Sequence, residues 1–304
     1  MGVRIKSTGT SRTKDTNSIV EHSARAARES LERAGVRPDQ VGVFINAGVF
    51  RDSNTVEPAV SALIQKAAGI GLEYGKDDPR TFSFDLMNGA VGVLNAVQVA
   101  TSILETGSVE HVLIVSGDTH PSLTRSAADD EFPYATSGAA LLLEQTDEPV
   151  GFGRVHIDRG DGTAAVESFV DTATMGALGR GLMTVVREPG FEDTLLGVAA
   201  GAARAALAEA GHADLSSTVL IASTPSAVFP VRLAKTLGIA ADSVRTADLS
   251  EGDPHTAALP LAYDRAVTED SFAAHSHVLF VAAGAGPSAA AVLYRLPVLV
   301  GTPA

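Results

Sequence analysis

The segment Phe84-Asp85-Leu86-Met87-Asn88-Gly89-Ala90-Val91-Gly92 reads as a tight turn from a strand into a helix. Such a turn presents its first helical side chain to the positive end of the helix dipole, a setting that suits an activated nucleophile. Here that residue is Ala90, and a methyl group attacks nothing. The alternative for this stretch is a well-packed helix start, with Asn88 acting as a cap rather than as an amide donor to a pocket. The chain has no cysteine, which excludes thiol nucleophiles, thiolate metal sites and disulfides. His255 stands two residues after Asp253 and is either a general base or a helix-start histidine making a local cap bond. His120, in Asp118-Thr119-His120-Pro121, is either a loop group with a function or part of a solvated turn. His22, His111, His156, His212, His275 and His277 have no spacing suited to a metal, so no metal site is expected. Asp158-Arg159-Gly160-Asp161-Gly162 reads as a hairpin tip rather than a calcium loop. Gly284-Ala285-Gly286-Pro287-Ser288-Ala289 loosely matches a dinucleotide-binding pattern, but that pattern needs a following helix. Residues 291–300 are β-branched and strand-like, so no nicotinamide cofactor is expected.

The elements that must position these residues come in two sets. Ile19 to Ala34 predicts a helix capped by Asn17 or Ser18 and stopped by Gly35. Strands are expected at Val41–Ala47, Thr81–Leu86, His111–Ser116 and Ala139–Leu143, with helices at Val56–Ala68 and Ala90–Leu104. The second set predicts helices at Leu195–Ala210, Val228–Leu237 and His255–Val267. Its strands are expected at Thr218–Ala222, Ser243–Ala247, Val278–Ala282 and Ala289–Leu293. The two sets echo each other in sequence. Ala26-Ala27-Arg28, Leu31 and Ala34-Gly35 return as Ala202-Ala203-Arg204, Leu207 and Ala210-Gly211; His111-Val112-Leu113-Ile114-Val115 returns as His277-Val278-Leu279-Phe280-Val281. One α/β unit is used twice, which creates a pseudo-twofold seam where a site can be shared. The halves are expected at 1–147 and 148–304 within one composite body. Residues 148–189 should hold extra strands and a cap or substrate-facing loop.

The bulk properties narrow the function. A formal net charge of -13 argues against nucleic acid and anionic membrane surfaces. No apolar run reaches the roughly 18 residues of a membrane span, and Arg4 and Lys6 are followed by polar residues rather than a signal-peptide core. A soluble cytoplasmic protein is expected.

Taken together, these segments resemble the thiolase superfamily, and within it β-ketoacyl carrier-protein synthase III. Residues 84–92 fit the family's nucleophile turn, Phe-Asp-Val/Leu-x-x-x-Cys-x-Gly, with Ala90 in the cysteine position. Val115-Ser116-Gly117-Asp118 is similar to its Ser-Asp strand, and residues 135–140 to its glycine-rich turn. Counting back from Lys235-Thr236-Leu237-Gly238 places Ser223 at the family histidine. Gly252-Asp253-Pro254-His255-Thr256-Ala257-Ala258-Leu259-Pro260 places Asp253 at the family asparagine. Gly284-Ala285-Gly286 resembles the closing glycine loop. The resemblance implies two pseudo-symmetric βαβαβαββ halves in a five-layer αβαβα sandwich. It also implies a pocket or oxyanion role for Asn88, Gly284, Gly286 and Ser288.

The departures from the pattern set the functional expectations. With Ala90, Ser223 and Asp253 in the three catalytic positions, no acyl-enzyme can form, and an ionised Asp253 would repel a developing enolate. The family segment between the first strand and first helix, which holds coenzyme A, is also missing; only about Thr10 to Asn17 connects them. The resemblance therefore implies a protein of acyl or polyketide metabolism with no resident cofactor and acyl-ACP or acyl-CoA as substrate or ligand. The first expectation is a non-nucleophilic partner subunit, as a homodimer or a heterodimer with a cysteine-bearing paralogue, with acyl carrier protein as a further implied partner. The alternatives are an acyltransferase that uses His255, Asp253 or Ser223 instead of the triad, and an acyl-binding protein without turnover.

Overall fold

The structure, a computed structural model, describes residues 2–54, 58–71, 81–123, 127–161, 166–171, 173, 183–211, 214–284 and 286–297. Its first half runs β1 (Gly2–Ser11), α1 (Ile19–Ala34), β2 (Val41–Asn46), α2 (Val60–Ala68), β3 (Phe82–Asp85), α3 (Gly92–Glu105), β4 (His111–Asp118) and β5 (Ser137–Thr146). Short strands β6 (Gly151–Phe152) and β7 (His156–Arg159) and the hairpin β8 (Val166–Val170) and β9 (Met183–Arg187) follow. The second half continues with α4 (Phe191–Glu209), β10 (Thr218–Ala222), α5 (Phe229–Leu237), β11 (Val244–Arg245), α6 (Ala258–Thr268), β12 (His277–Gly284) and β13 (Ser288–Arg295).

The two sheets have the same topology. The first has the order β1-β5-β4-β2-β3, and the second β11-β10-β12-β13 with β7 and β6 pairing β13. In each, the central strands are parallel to the edge strand beyond them, β2 to β3 and β10 to β11, while the last two strands are antiparallel. The strands are apolar on both faces because helices cover both. Phe44, Leu113 and Leu142 pack on α1 and α2, and the alternate residues Val43, Ile45 and Leu143 pack on α3. In the second sheet Leu220, Leu279 and Leu293 face α4 and α5, while Val219, Phe280 and Val292 face α6 and Leu94 of α3. The period-2 alternation of each strand thus builds the five layers, α1/α2, sheet, α3/α6, sheet, α4/α5. This is the thiolase-like α/β sandwich that the resemblance implied.

Most element boundaries fall within two residues of those expected. Ser18 caps α1 by accepting from Glu21 N–H, and Gly35 closes it at φ 64°. Three differences have physical causes. The helix expected from Ala90 begins at Gly92, because Asn88 to Val91 form the turn, with Gly89 at φ 53°. The strand expected over Ser243–Ala247 shrinks to Val244–Arg245, since residues 241–243 are wound into a 3-10 turn. The helix expected from His255 starts as a 3-10 turn and becomes α-helical only at Ala258, because His255 is left-handed, at φ 48°. The expected start at Val56 and the end of the strand predicted to residue 300 lie outside the described residues.

Strand β1 lies close against α1. A Cβ on Gly9 would sit 2.0 Å from the Ala26 carbonyl oxygen and 2.7 Å from Ser30 N. Backbone cannot yield as a flexible side chain can, so Gly9→Ala should cost about 3 kcal/mol, the upper end of overpacking. Urea unfolding of the two proteins checks this: a lower midpoint at unchanged slope is expected.

Candidate functional site

Four segments at the carboxyl ends of strands converge on the seam between the halves, the usual location of sites in α/β sheets. Ala90 follows β3, Asp118 ends β4, Ser223 follows β10, and Gly284 ends β12. The loop before α6 brings Asp253 and His255 to the same place. Backbone hydrogen bonds tie it to the first half: Ala128 N to Glu251 O at 2.7 Å, Ala135 N to Asp253 O at 2.9 Å and Asp253 N to Pro133 O at 3.3 Å.

Ala90, Ser223, Asp253, His255 and Gly284 share one small cavity of about 30 Å³. The remaining wall is Tyr134, Val166, Leu195, Pro225 and Ala283. A cavity needs about 10–15 Å³ of this kind of space per water, so it has room for two or three small atoms. Sites for drug-sized ligands are about 300–1,000 Å³. A larger groove of about 450 Å³ around Arg154, His156 and Arg295 shares no wall residue with it.

Three of the pocket residues expected from sequence are elsewhere. Asn88 is exposed and donates to Asn95 Oδ1 at 2.8 Å. Gly286 is exposed, and Ser288 opens β13 opposite Gly284 without reaching the cavity. His120 is buried rather than solvated. Its Nδ1 lies 2.6 Å from Ser122 Oγ, and its ring stands edge-on to Phe132, outside the cavity wall.

Ser223 does not have a nucleophile's surroundings. Its hydroxyl accepts the Ala283 N–H at 3.1 Å, and it makes no hydrogen bond to His255. It continues the pairing of β10 with β12 one residue past the end of β10, an inner strand of the second sheet. Ser223→Ala should therefore cost about 1–3 kcal/mol for the orphaned buried N–H. Urea denaturation of parent and variant would show this, and an unchanged midpoint would contradict it.

His255 is built into the protein differently from a helix-start histidine. Its Nδ1 lies 3.1 Å from Asp118 Oδ2, and its ring stacks on Tyr134 with centroids 4.2 Å apart and an interplanar angle of 25°. Its Nε2 has no hydrogen-bond partner among the described residues and lies on the side of the Gly89-Ala90 turn, where a Cβ on Gly89 would come within 4.0 Å of it. Asp253 Oδ1 accepts the His255 N–H at 2.9 Å and the Thr224 hydroxyl at 3.0 Å. Arg187, at the end of β9, lies over the Tyr134 ring, places Nη2 3.9 Å from Asp253 Oδ2, and donates to the Pro225 carbonyl at 3.0 Å. Asp118, Tyr134, Thr224 and Arg187 thus complete the site, and none was singled out as a site residue from sequence. Only Asp118 left a signal, in the Ser116-Gly117-Asp118 segment at a strand end.

The charges follow from burial and pairing. Burial opposes a charge on His255, but the Asp118 carboxylate and its hydrogen bond outweigh this, and the imidazole pKa lies above its ordinary value. Burial also opposes ionisation of Asp118. The His255 charge and the hydrogen bonds from His255, Thr256 and Phe50 prevail, and its carboxyl lies below the usual range. For Asp253 burial wins over His255, Thr224 and Arg187, and its carboxyl is raised. Burial and the nearby Asp253 charge push the Tyr134 hydroxyl up to about 12. Among the described residues, the cavity presents one imidazole nitrogen without a hydrogen-bond partner and a Ser223 hydroxyl that accepts from the backbone. Among the described residues there is no group of three or more His, Asp or Glu side chains that could hold a metal, and no helix long and apolar enough to cross a membrane.

Known proteins share this architecture. Residues 84–162 match the family model of 3-oxoacyl-[acyl-carrier-protein (ACP)] synthase III. A β-ketoacyl-[acyl-carrier-protein] synthase III of Thiobacillus denitrificans is 25% identical over 275 residues, covering 89% of this chain and 82% of that protein. An acyl-CoA:acyl-CoA alkyltransferase of Xanthomonas campestris pv. campestris is 27% identical over 128 residues, 40% of this chain; the chain spans only 35% of that relative's length. The priming β-ketosynthase of the R1128 polyketide biosynthetic pathway superposes with a TM-score of 0.80 at 20% identity, covering 97% of this chain and 96% of that one. With its doubled βαβαβαββ unit and its five layers the chain has the thiolase-like fold, and across the turn at Ala90 it is similar to the synthase III family.

Proposed function

We propose that this protein acts on acyl thioesters without an acyl-enzyme, transferring the acyl group directly to a bound acceptor with His255 as general base. The reading is carried by one observation: a buried imidazole is held by a carboxylate at Nδ1 and left unpaired at Nε2 beside a cavity whose family nucleophile position is Ala90. In the step, His255 Nε2 takes the proton of an alcohol, amine or water. The freed lone pair attacks the thioester carbonyl, the C–S bond breaks, and the thiolate leaves as a thiol with the proton from His255. Oxygen or nitrogen replaces sulfur on the acyl carbon, and no oxidant or reductant is needed. The cavity of about 30 Å³ is too small for this in its present state. Acyl entry must displace part of its wall, where Val166 at the start of β8 and Leu195 on α4 are apolar. Acyl-CoA and acyl-ACP both present the required thioester.

A second reading, the non-nucleophilic partner subunit, has its own support. Among the described residues β3 is the outer strand of the first sheet, and Phe82 at its start is 65% and Met87 just after it 46% exposed. An open edge flanked by apolar side chains is a template for pairing with another chain. A second copy or a cysteine-bearing paralogue would bury it.

The two readings separate in one experiment. The purified protein is given acetyl-, butyryl- and octanoyl-CoA with hydroxylamine as a small acceptor, and free thiol is measured. Thiol release that depends on His255 supports direct transfer. Release by the purified chain only after a cysteine-bearing paralogue is co-expressed and co-elutes supports the partner role. Binding of acyl-CoA with no release under either condition would leave an acyl-binding protein and sink both.

A further inference from the structure

Asp118 lies at the last position of β4 with no exposed surface. Its two oxygens receive five hydrogen bonds. Oδ1 accepts the N–H groups of Val49 at 3.1 Å and Phe50 at 2.8 Å. Oδ2 accepts Thr256 N–H at 3.1 Å, the Thr256 hydroxyl at 2.5 Å and His255 Nδ1 at 3.1 Å. Three of these donors are backbone N–H groups, which can only donate. A carboxyl so supplied is an ionised acceptor, and the ring nitrogen facing it must carry the hydrogen. In the neutral imidazole one nitrogen carries hydrogen and the other a lone pair, so fixing one nitrogen decides the other.

We propose that Asp118 is the positioning residue of this site, holding His255 in the Nδ1–H tautomer so that the Nε2 lone pair faces the cavity beside Ala90. The proposal rests on the acyl-transfer reading only for its consequence in turnover; the tautomer itself can be observed without any substrate. The backbone contributes as well. At φ 48° His255 occupies a conformation uncommon outside glycine, asparagine and aspartate. The Asp253 carboxylate, accepting the His255 N–H, and Asp118, gripping the ring, hold it there from opposite halves of the protein. The charged and titratable groups that face the imidazole are Asp118 from β4, Asp253 from its own loop, Tyr134 against its face and Arg187 from β9. Of these only Asp118 touches a ring nitrogen.

The test has one arm that needs no variant. In the full-length protein, long-range nitrogen-proton NMR of the histidine rings reports tautomer and titration together, with the His255 signals assigned from their loss in His255→Asn. The expected result is the Nδ1–H tautomer, with a pKa above the roughly 6.5 of a free imidazole. An Nε2–H tautomer, or titration below that value, would overturn the proposal. The second arm is Asp118→Asn, which keeps the shape of the side chain and removes its charge. His255 should then titrate at least about one unit lower, and kcat/KM on a thioester that the parent turns over should fall at least about a hundredfold. The acid limb of the pH profile should move to lower pH. A residue that served only to stabilise the fold would lower the amount of active protein and leave the position of that limb unchanged. If the tautomer and titration are as expected but neither protein releases thiol, Asp118 still positions His255 and only the acyl-transfer reading fails.

Discussion

Replacing His255 with asparagine should lower thioester turnover at least about a hundredfold, the usual contribution of a positioned general base, while leaving the folded protein close to its parent in stability at alkaline pH, where the imidazole is neutral. Asparagine suits the position for two reasons. Its amide nitrogen falls where the imidazole Nδ1 was, so Asp118 keeps a donor in place of the 3.1 Å bond it now receives. It also tolerates the positive φ of 48° better than any other side chain of its size. What it lacks is a basic nitrogen at Nε2. Alanine would be the poorer probe, because it would empty the place between Asp118 and Tyr134 and leave a buried carboxylate short of a partner. Thiol release read beside the thermal midpoint gives the answer. A variant that turns over as fast as its parent would remove His255 from the chemistry, and the partner-subunit reading would then stand on the exposed edge at β3.

Removing the carboxylate with Asp118→Ala should have the largest effect on stability, about 3–5 kcal/mol, since it breaks a buried charge pair from one side. Four further donors, from Val49, Phe50 and Thr256, lose their acceptor at the same time. The effect should depend on pH in a defined way. The Asp118 pKa is lowered by folding, so its contribution is present above the unfolded value of about 3.9 and disappears as pH falls through the folded value. The His255 pKa is raised, so its contribution is complete below about 6.5 and disappears as pH rises through the folded value. The stability gap between parent and variant should therefore be widest between about pH 4 and 6.5 and should narrow on either side. Urea denaturation at pH 5 and pH 9 measures the gap, and a gap that is the same at both would mean that the pair carries no net charge interaction.

How far the site could be read from the sequence differs from residue to residue. The turn at Ala90 was legible, because an aspartate, a glycine and an apolar helix start leave few ways to connect a strand to a helix. The family resemblance placed Ser223 before Lys235-Thr236-Leu237-Gly238 and Asp253 before the Ala257-Ala258 helix, and the cavity contains both. Their roles were not legible. Ser223 looks like a hydroxyl free to react and is the acceptor for Ala283 N–H; Asp253 looks like a catalytic group and holds the backbone of His255. Asn88 and Ser288 look like pocket donors, but one points into its own helix and the other begins a strand.

The sequence by itself determined the doubled α/β unit, the order of its strands and helices, and the lack of any thiol, because these follow from apolar period, turn residues and composition, all of which are local. The tertiary structure decided which groups meet. Asp118 and His255 are 137 positions apart, and they touch only because two strand ends face each other across the seam and one residue turns left-handed. A hydrogen bond depends on separation and direction at the scale of tenths of an ångström, and those are set by the packing of all five layers.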